Sequence, residues 1–244
     1  MNTLDWMLWG VFPYVAVVVM VTAIVWRARY DRFGWTTHSS QFRESRLLRI
    51  GSPLFHYGML FVILGHLVGL VIPASWTGAA GLSEHAYHLM AVVTGTLAGG
   101  CAVAGLGILV YRRLAVPSVR RSTLGSDHLM YTLLIAAMLA GLTATVLVQI
   151  AGVGGEDYNY REGISVWFRS LFVLRPEVAL MAAAPMAFKV HILLGFGLLL
   201  LAPFTRLMHV VALPVQYLFR PYVVYRSRRT PAGQPRRQLS GRNR

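Results

Sequence analysis

The sequence predicts an all-α membrane protein: a bundle of five transmembrane helices with the N-terminus outside and the C-terminus in the cytoplasm. Of its 244 residues, 56% are hydrophobic and only 13% are charged, whereas a soluble domain carries about 25% charged residues. Five apolar runs each approach or exceed the roughly 20 residues that cross a bilayer. Most of the basic residues lie between these runs rather than within them. We therefore expect a multi-pass protein of the bacterial cytoplasmic membrane.

The basic residues indicate which loops lie inside. Of the 23 Lys and Arg residues, six lie in 27–49, four in 112–121 and nine in 206–244. Because Lys- and Arg-rich loops stay in the cytoplasm, these three segments are expected inside. There the positive charge would meet anionic lipid. This placement argues against nucleic-acid binding as the reason for the net charge of +14.

The chain order then gives the individual spans. The predicted spans are 1–26, 51–72, 88–111, 128–150 and 188–211. No basic residue precedes Arg27, so the first run lacks the positive start of a cleaved signal peptide and is interpreted as a span. Pro13 is expected to kink it.

Two further segments are predicted outside the spans. Within the outer loop, residues 164–174 are apolar but too short to cross a bilayer. They predict a helix lying in the interface, with Trp167 and Phe168 at headgroup level. Residues 226–244 are basic and contain Pro and Gly, which predicts a disordered cytoplasmic tail after a single five-span domain of residues 1–225.

Cys101 is the only cysteine in the chain. One cysteine cannot supply an iron–sulfur cluster or the Cys-x-x-Cys-His motif that attaches haem covalently. Any haem would therefore be held by packing and axial ligands. Because Cys101 lies in the middle of a span, we expect it in the protein core.

Four histidines lie in the second and fifth spans: His56, His66, His191 and His209. Ionisable side chains in hydrocarbon are costly and indicate a functional site. Because the two spans run in opposite directions, His66 and His191 are expected near the outer surface and His56 and His209 near the inner one. Imidazole is a suitable axial ligand for haem iron, so each pair is predicted to hold one b-type haem. On helices, His56 and His66 would lie about 80° apart, whereas His191 and His209 would share one face.

Other side chains could assist these pairs. Arg206 precedes His209 by one turn and Lys189 precedes His191 by two residues. Either cation could bind a haem propionate or extend to the membrane surface. His85 and His88 begin the third span at about the depth expected for His66. A neutral imidazole there could accept a proton from a quinol.

Two segments carry a resemblance to a known family. One runs from Phe55-His56-Tyr57-Gly58 to Gly65-His66-Leu67-Val68-Gly69. The other runs from Val190-His191-Ile192-Leu193-Leu194-Gly195 to Pro203-Phe204-Thr205-Arg206-Leu207-Met208-His209. Over about residues 5–225 the chain resembles the gamma subunit of respiratory nitrate reductase, a dihaem cytochrome b that anchors that complex in the membrane.

The resemblance implies a ligand set and an electron route. His66 and His191 would bind an outer (distal) haem, and His56 and His209 an inner (proximal) haem. Quinol, either menaquinol or ubiquinol, would be oxidised near Gly65 and His66. Electrons would then pass inward to an iron–sulfur (beta) subunit and a molybdenum (alpha) subunit that reduces nitrate.

One position departs from the family pattern. The resemblance implies a lysine at the start of the third span that helps to bind quinone, but this chain has Ala86 there, between His85 and His88. The quinone contact must then differ, and one of these histidines is a candidate for it.

Two alternatives remain open. A dihaem cytochrome of this kind could serve another quinone-linked complex, of the heterodisulfide- or sulfite-reducing type. A transporter with histidine relays would instead call for carboxylates within the spans and for broken or repeated spans. No Asp or Glu lies in the interior of a predicted span, which disfavours the transporter.

Overall fold

Five long helices, one for each predicted span, dominate the computed structural model, which describes residues 2–31, 44–152 and 158–210. In chain order the helices are α1 (Thr3–Tyr30), α2 (Arg46–Val71), α3 (Ala74–Ala79), α4 (Glu84–Ala115), α5 (Pro117–Arg120), α6 (Gly125–Ile150), α7 (Ile164–Phe172), α8 (Val178–Ala183) and α9 (Met186–Leu201). Helices make up 84% of the described residues, which contain no β-strand. The all-α fold class and the five spans are therefore confirmed. The orientation of the termini stays a prediction, and "outer" and "inner" below refer to it.

The long helices have the lengths and surfaces of membrane spans. The 32 residues of α4 extend about 48 Å, well beyond a hydrocarbon core of about 30 Å. Apolar side chains cover the outside of the bundle: Phe61 and Leu97, for example, are 63% and 67% exposed. A soluble protein rarely exposes so large an apolar area, and here lipid would cover it.

Glycines bring α2 and α4 together backbone to backbone. A Cβ added to Gly58 would lie 2.6 Å from the Ala102 amide nitrogen, and one added to Gly105 would overlap the backbone of Phe55. Helix α9 packs along α6 and α1. Within the described residues, however, the two histidine-bearing helices α2 and α9 do not pack along one another. The histidines therefore face each other across a gap.

Helix α7 lies at the outer end and packs against the bundle through a buried apolar cluster. Trp167 is 1% exposed, and its Nε1–H donates to the carbonyl oxygen of Trp9 at 2.9 Å. Pro13, four residues after Trp9, has no N–H to donate to that carbonyl. The headgroup depth of Trp167 stays a prediction; within the protein its indole is buried and satisfies an acceptor that Pro13 leaves open. Phe168 is half-buried against the same apolar cluster.

The fifth span is shorter than predicted. The α-helix ends at Leu201, and two 3₁₀ turns follow, Ala202–Phe204 and Arg206–Val210, separated by an extended Thr205. Pro203 cannot continue the helix because it lacks an N–H and its ring clashes with the carbonyl four residues earlier. The expectation that His191 and His209 share one face of a continuous helix is therefore wrong.

Cys101 also differs from its prediction, since it is exposed. Its neighbour Ala102 faces Gly58, and successive residues of a helix are rotated by about 100°, so Cys101 turns away from that contact. The predicted tail and the domain boundary after residue 225 lie outside the described residues.

Candidate functional site

The four span histidines come together in the two predicted pairs. The ring centres of His66 and His191 are 5.9 Å apart, with the ring planes at 42°. Those of His56 and His209 are 6.1 Å apart, with the planes at 65°. Along α2 the two pairs are separated by about 15 Å of helical rise.

All four rings share a carbonyl partner at Nδ1, and the Ser52 hydroxyl also lies 3.2 Å from the Nδ1 of His56. Each Nδ1 bonds a backbone carbonyl oxygen: His56 to Ser52 at 2.7 Å, His66 to Val62 at 2.7 Å, His191 to Ala137 at 2.9 Å, and His209 to Arg206. A carbonyl oxygen can only accept, so each Nδ1 carries a hydrogen, and in the neutral ring the lone pair is then on Nε2. A histidine that ligates a metal typically has this arrangement, with its second nitrogen donating to a carbonyl or carboxylate.

The spacing of the rings in each pair would allow both imidazoles to hold one metal ion. Two metal–nitrogen bonds of about 2 Å each would account for about 4 Å of the separation. The remainder matches the distances from the two ring centres to their own nitrogens. Open space borders the outer pair as well: a Cβ added to Gly65, next to His66, or to Gly195, one turn after His191, would meet no atom within 4 Å. The residues present therefore fit one metal ion between the imidazoles of each pair, with room for a flat group beside the outer pair.

A buried ion cluster lies near the inner pair. Asp127, 1% exposed, accepts from Arg206 at both carboxylate oxygens, with distances of 2.6 and 2.9 Å. Arg113 lies 3.4 Å from the same carboxylate. In the structure the guanidinium of Arg206 binds Asp127. Its contact with a haem propionate stays a prediction. The analogous Lys189 donates to the carbonyl of Ala182 at 2.6 Å.

Asp127 was not identified from the sequence as a partner of Arg206. The sequence feature that could have indicated this pair is an acidic residue at the start of the fourth span, at the inner depth where Arg206 was also expected. A second inner pair joins Glu44 and Arg112 at 2.6 Å. Burial acts to raise the pKa of the Glu44 carboxyl, but hydrogen bonds from the Leu47 N–H and from Arg112 outweigh it, and the pKa is lowered.

Helix α6 also determines the surroundings of His191. The ring of His191 lies over Gly141, where an added Cβ would come within 2.7 Å of the imidazole Cε1 and 3.0 Å of Nδ1. Only glycine leaves room for the ring in this position. Neither Gly141 nor Ala137 was identified from the sequence, since no local pattern relates them to a histidine fifty residues later.

The quinol candidates His85 and His88 are exposed in the first turns of α4. Gly58 packs against Ala98 and Ala102, and extending this antiparallel register places His66 level with residues near 93. His88 is then about 7 Å, and His85 about 12 Å, further out than His66. Both histidines therefore lie nearer the outer surface than the sequence predicts, and His88 is the closer of the two to the depth of His66.

Arg161 holds this outer region together. Its guanidinium pairs with Glu84 at 3.1 Å, donates to the Thr77 hydroxyl at 2.9 Å and lies 3.8 Å from the centre of the Tyr87 ring. Burial, with Tyr87 beside it, raises the pKa of the Tyr160 phenol, so Tyr160 stays neutral at physiological pH. Arg161 therefore ties the first turn of α4 to the two outer loops.

Comparison with known proteins identifies the family. The family model "Nitrate reductase gamma subunit" matches residues 5–228. The chain belongs to this family. It is 42% identical to the nitrate reductase gamma chain of Bacillus subtilis over 91% of this chain and 97% of that protein. It is 31% identical to the respiratory nitrate reductase 1 gamma chain of Escherichia coli over 93% of this chain and 100% of that protein.

A longer relative also matches. The chain is 56% identical over 220 residues to the nitrate reductase-like protein NarX of Mycobacterium tuberculosis, covering 90% of this chain but only 33% of that protein. This chain thus spans about a third of the length of NarX. Family membership and the five candidate spans make it a multi-pass protein of a bacterial cytoplasmic membrane.

Proposed function

We propose that this chain is the membrane subunit of a quinol:nitrate oxidoreductase, a dihaem cytochrome b that oxidises quinol near the outer surface. The observation that carries the proposal is the pairing of four histidines, each with Nδ1 bound to a carbonyl, across two spans that do not otherwise pack together. The family match favours nitrate reduction over the heterodisulfide or sulfite alternatives. Paired imidazoles without carboxylates in the span interiors disfavour a transporter.

The ligand set follows from the two pairs. His66 and His191 would hold the outer haem, and His56 and His209 the inner one, each through Nε2. Bound at these pairs, b-type haem would supply one-electron transfer across the membrane. The carbonyl partners of Nδ1 fix the tautomer and the rotation of each ring, so the chain presents ligands already oriented.

Quinol oxidation releases two protons, and side chains near the outer pair must accept them. His88 is the candidate acceptor closest to His66 in depth, and neutral imidazole accepts protons near pH 7. Glu84 precedes His88 by one turn, is held by Arg161 and is 53% exposed. Together, His88 and Glu84 would give protons a route from the outer histidine pair to water. Gly65, which borders open space, would let a quinol ring approach the backbone of α2.

The inner end would face the partner subunits. An iron–sulfur subunit there would take the electrons, and a molybdenum subunit beyond it would reduce nitrate. The inner segments of this chain are strongly basic, which suits contact with anionic lipid and with an acidic partner surface.

The test uses the assembled complex and two electron donors. Quinol must enter through this subunit, whereas a soluble reduced dye can reduce the nitrate-reducing subunits directly. We expect His66→Ala to abolish quinol-driven nitrate reduction and to leave dye-driven reduction unchanged. His128→Ala, which alters an exposed histidine at the inner edge, is the control and should retain both activities. Quinol-driven activity that survives His66→Ala would contradict the proposal.

A further inference from the structure

Helix α6 carries none of the four paired histidines. It nevertheless contacts His191 directly through Ala137, and it contacts Arg206, three residues before His209, through Asp127. We propose that α6 positions both of these histidines, His191 and His209, as ligands. The inference rests on the proposed function, because ligand positioning affects iron only if the pairs hold it. The α6 residues involved are positioning residues, since they act through the histidines.

The outer contact fixes the His191 ring. His56 and His66 bond carbonyls of their own helix, four residues earlier, whereas His191 bonds the Ala137 carbonyl of α6. One turn further along α6, Gly141 lies directly beneath the same ring. The hydrogen bond and the close approach together set the orientation of the His191 ring from outside its own helix.

The inner contact acts through Arg206. His209 lies on a 3₁₀ turn, and its Nδ1–H donates to the carbonyl of Arg206, the first residue of that turn. The guanidinium of Arg206 is held at two points by Asp127, which is itself fixed by the Leu124 N–H at 3.0 Å. Bidentate pairs of this kind impose geometry as well as energy. Because Pro203 interrupts the helix before this turn, the Asp127–Arg206 pair supplies an orientation that α9 itself does not.

The two contacts act separately. Asp127 and Gly141 are separated by about 21 Å along α6, and effects of substitutions at such distances are additive in general. Asp127→Asn should therefore disturb only the inner pair and Gly141→Ala only the outer pair. Each variant is an internal control for the other.

The experiment is a redox titration of the complex in membranes, followed by the spectra of the two ferric haems. Second-sphere partners are typically worth about 10- to 100-fold in metal affinity. If Asp127→Asn changes the preference of the inner site for ferric over ferrous iron tenfold, its potential moves by about 59 mV. The outer potential should stay unchanged. Gly141→Ala should give the reverse pattern, a shifted outer haem and an unchanged inner one.

Two matched variants test the specificity of these shifts. Gly197→Ala adds a methyl group to α9 where nothing lies within 4 Å. Glu44→Gln weakens the other inner arginine pair, which does not involve α9. Both should leave the two potentials unchanged. Arg206→Lys, which keeps the charge but loses bidentate geometry, should reproduce the inner shift if Asp127→Asn does not accumulate.

The outcomes separate the inference from the function on which it rests. A wild-type complex without b-type haem spectra contradicts the proposed function itself. If the wild-type complex has two haems, but in both α6 variants the two potentials move together or do not move, the positioning by α6 is overturned. The proposed function is not contradicted by that result. Whole-membrane spectra, scaled to the amount of protein, extend the measurement to variants that purify poorly.

Discussion

The packing of α2 against α4 determines where His56 and His66 stand, and Gly58→Ala tests it. The added Cβ would lie 2.6 Å from the Ala102 nitrogen, 2.9 Å from the Ala98 oxygen and 3.0 Å from the Ala102 Cα. All three atoms belong to the backbone of α4, so no side chain can rotate away. Contacts of carbon atoms are favourable at about 3.5–4.0 Å, so the helices must separate locally by about 1 Å.

Overpacking of this kind costs about 1–3 kcal/mol, or about a 5- to 150-fold lower ratio of folded to unfolded protein. We expect Gly58→Ala to lower the thermal unfolding midpoint of the protein in detergent and to reduce the haem retained at both pairs. Gly107→Ala is the matched control, because a Cβ on Gly107 of α4 meets no atom within 4 Å. If Gly58→Ala were as stable as Gly107→Ala and kept both haems, the backbone contact between α2 and α4 would not hold the site.

Three further substitutions test a buried hydrogen bond, an ion pair and the break in the fifth span. Trp167→Phe removes the donor to the Trp9 carbonyl and should destabilise the protein by about 1–3 kcal/mol in thermal unfolding, the cost of a buried unsatisfied acceptor; an unchanged midpoint would contradict this role. Because the pKa of Glu44 is lowered in the folded state, the stabilisation by its pair with Arg112 is present above the ordinary glutamate pKa and is lost as the pH falls through the lowered value. Glu44→Gln should therefore flatten the acid end of the stability–pH profile, and an unaltered profile would argue against the pair. Pro203→Ala restores an N–H and should extend α9 as an α-helix, which would rotate His209 away and remove the spectrum of the inner haem while the outer one persists; retention of both spectra would show that the turn is not required.

The sequence was sufficient for the features that depend on composition and direction. Runs of apolar residues and the placement of arginines predict five spans, and the opposite directions of the second and fifth spans predict which histidines meet. His66 with His191 and His56 with His209 are the pairs that the structure brings together.

What the sequence did not reveal depends on contacts between distant segments. Trp167 is buried and donates to the Trp9 carbonyl that Pro13 leaves open in another helix, and a hydrophobic pattern alone does not identify that partner. Pro203 was visible in the sequence, but its consequence for His209 depends on how the chain continues after the break. Asp127 contacts a residue 79 positions later, so no local spacing indicates it.

The central claim, that His66 shares one haem with His191 of α9 and His56 shares another with His209 of the 3₁₀ turn after α9, is tested most directly by low-temperature electron paramagnetic resonance. Two low-spin ferric signals are expected from the wild-type complex. The four single substitutions to alanine should then fall into two classes: His66→Ala and His191→Ala lose one and the same signal, and His56→Ala and His209→Ala lose the other. If the two histidines of a proposed pair abolished different signals, or if all four substitutions left both signals intact, the pairing would be contradicted.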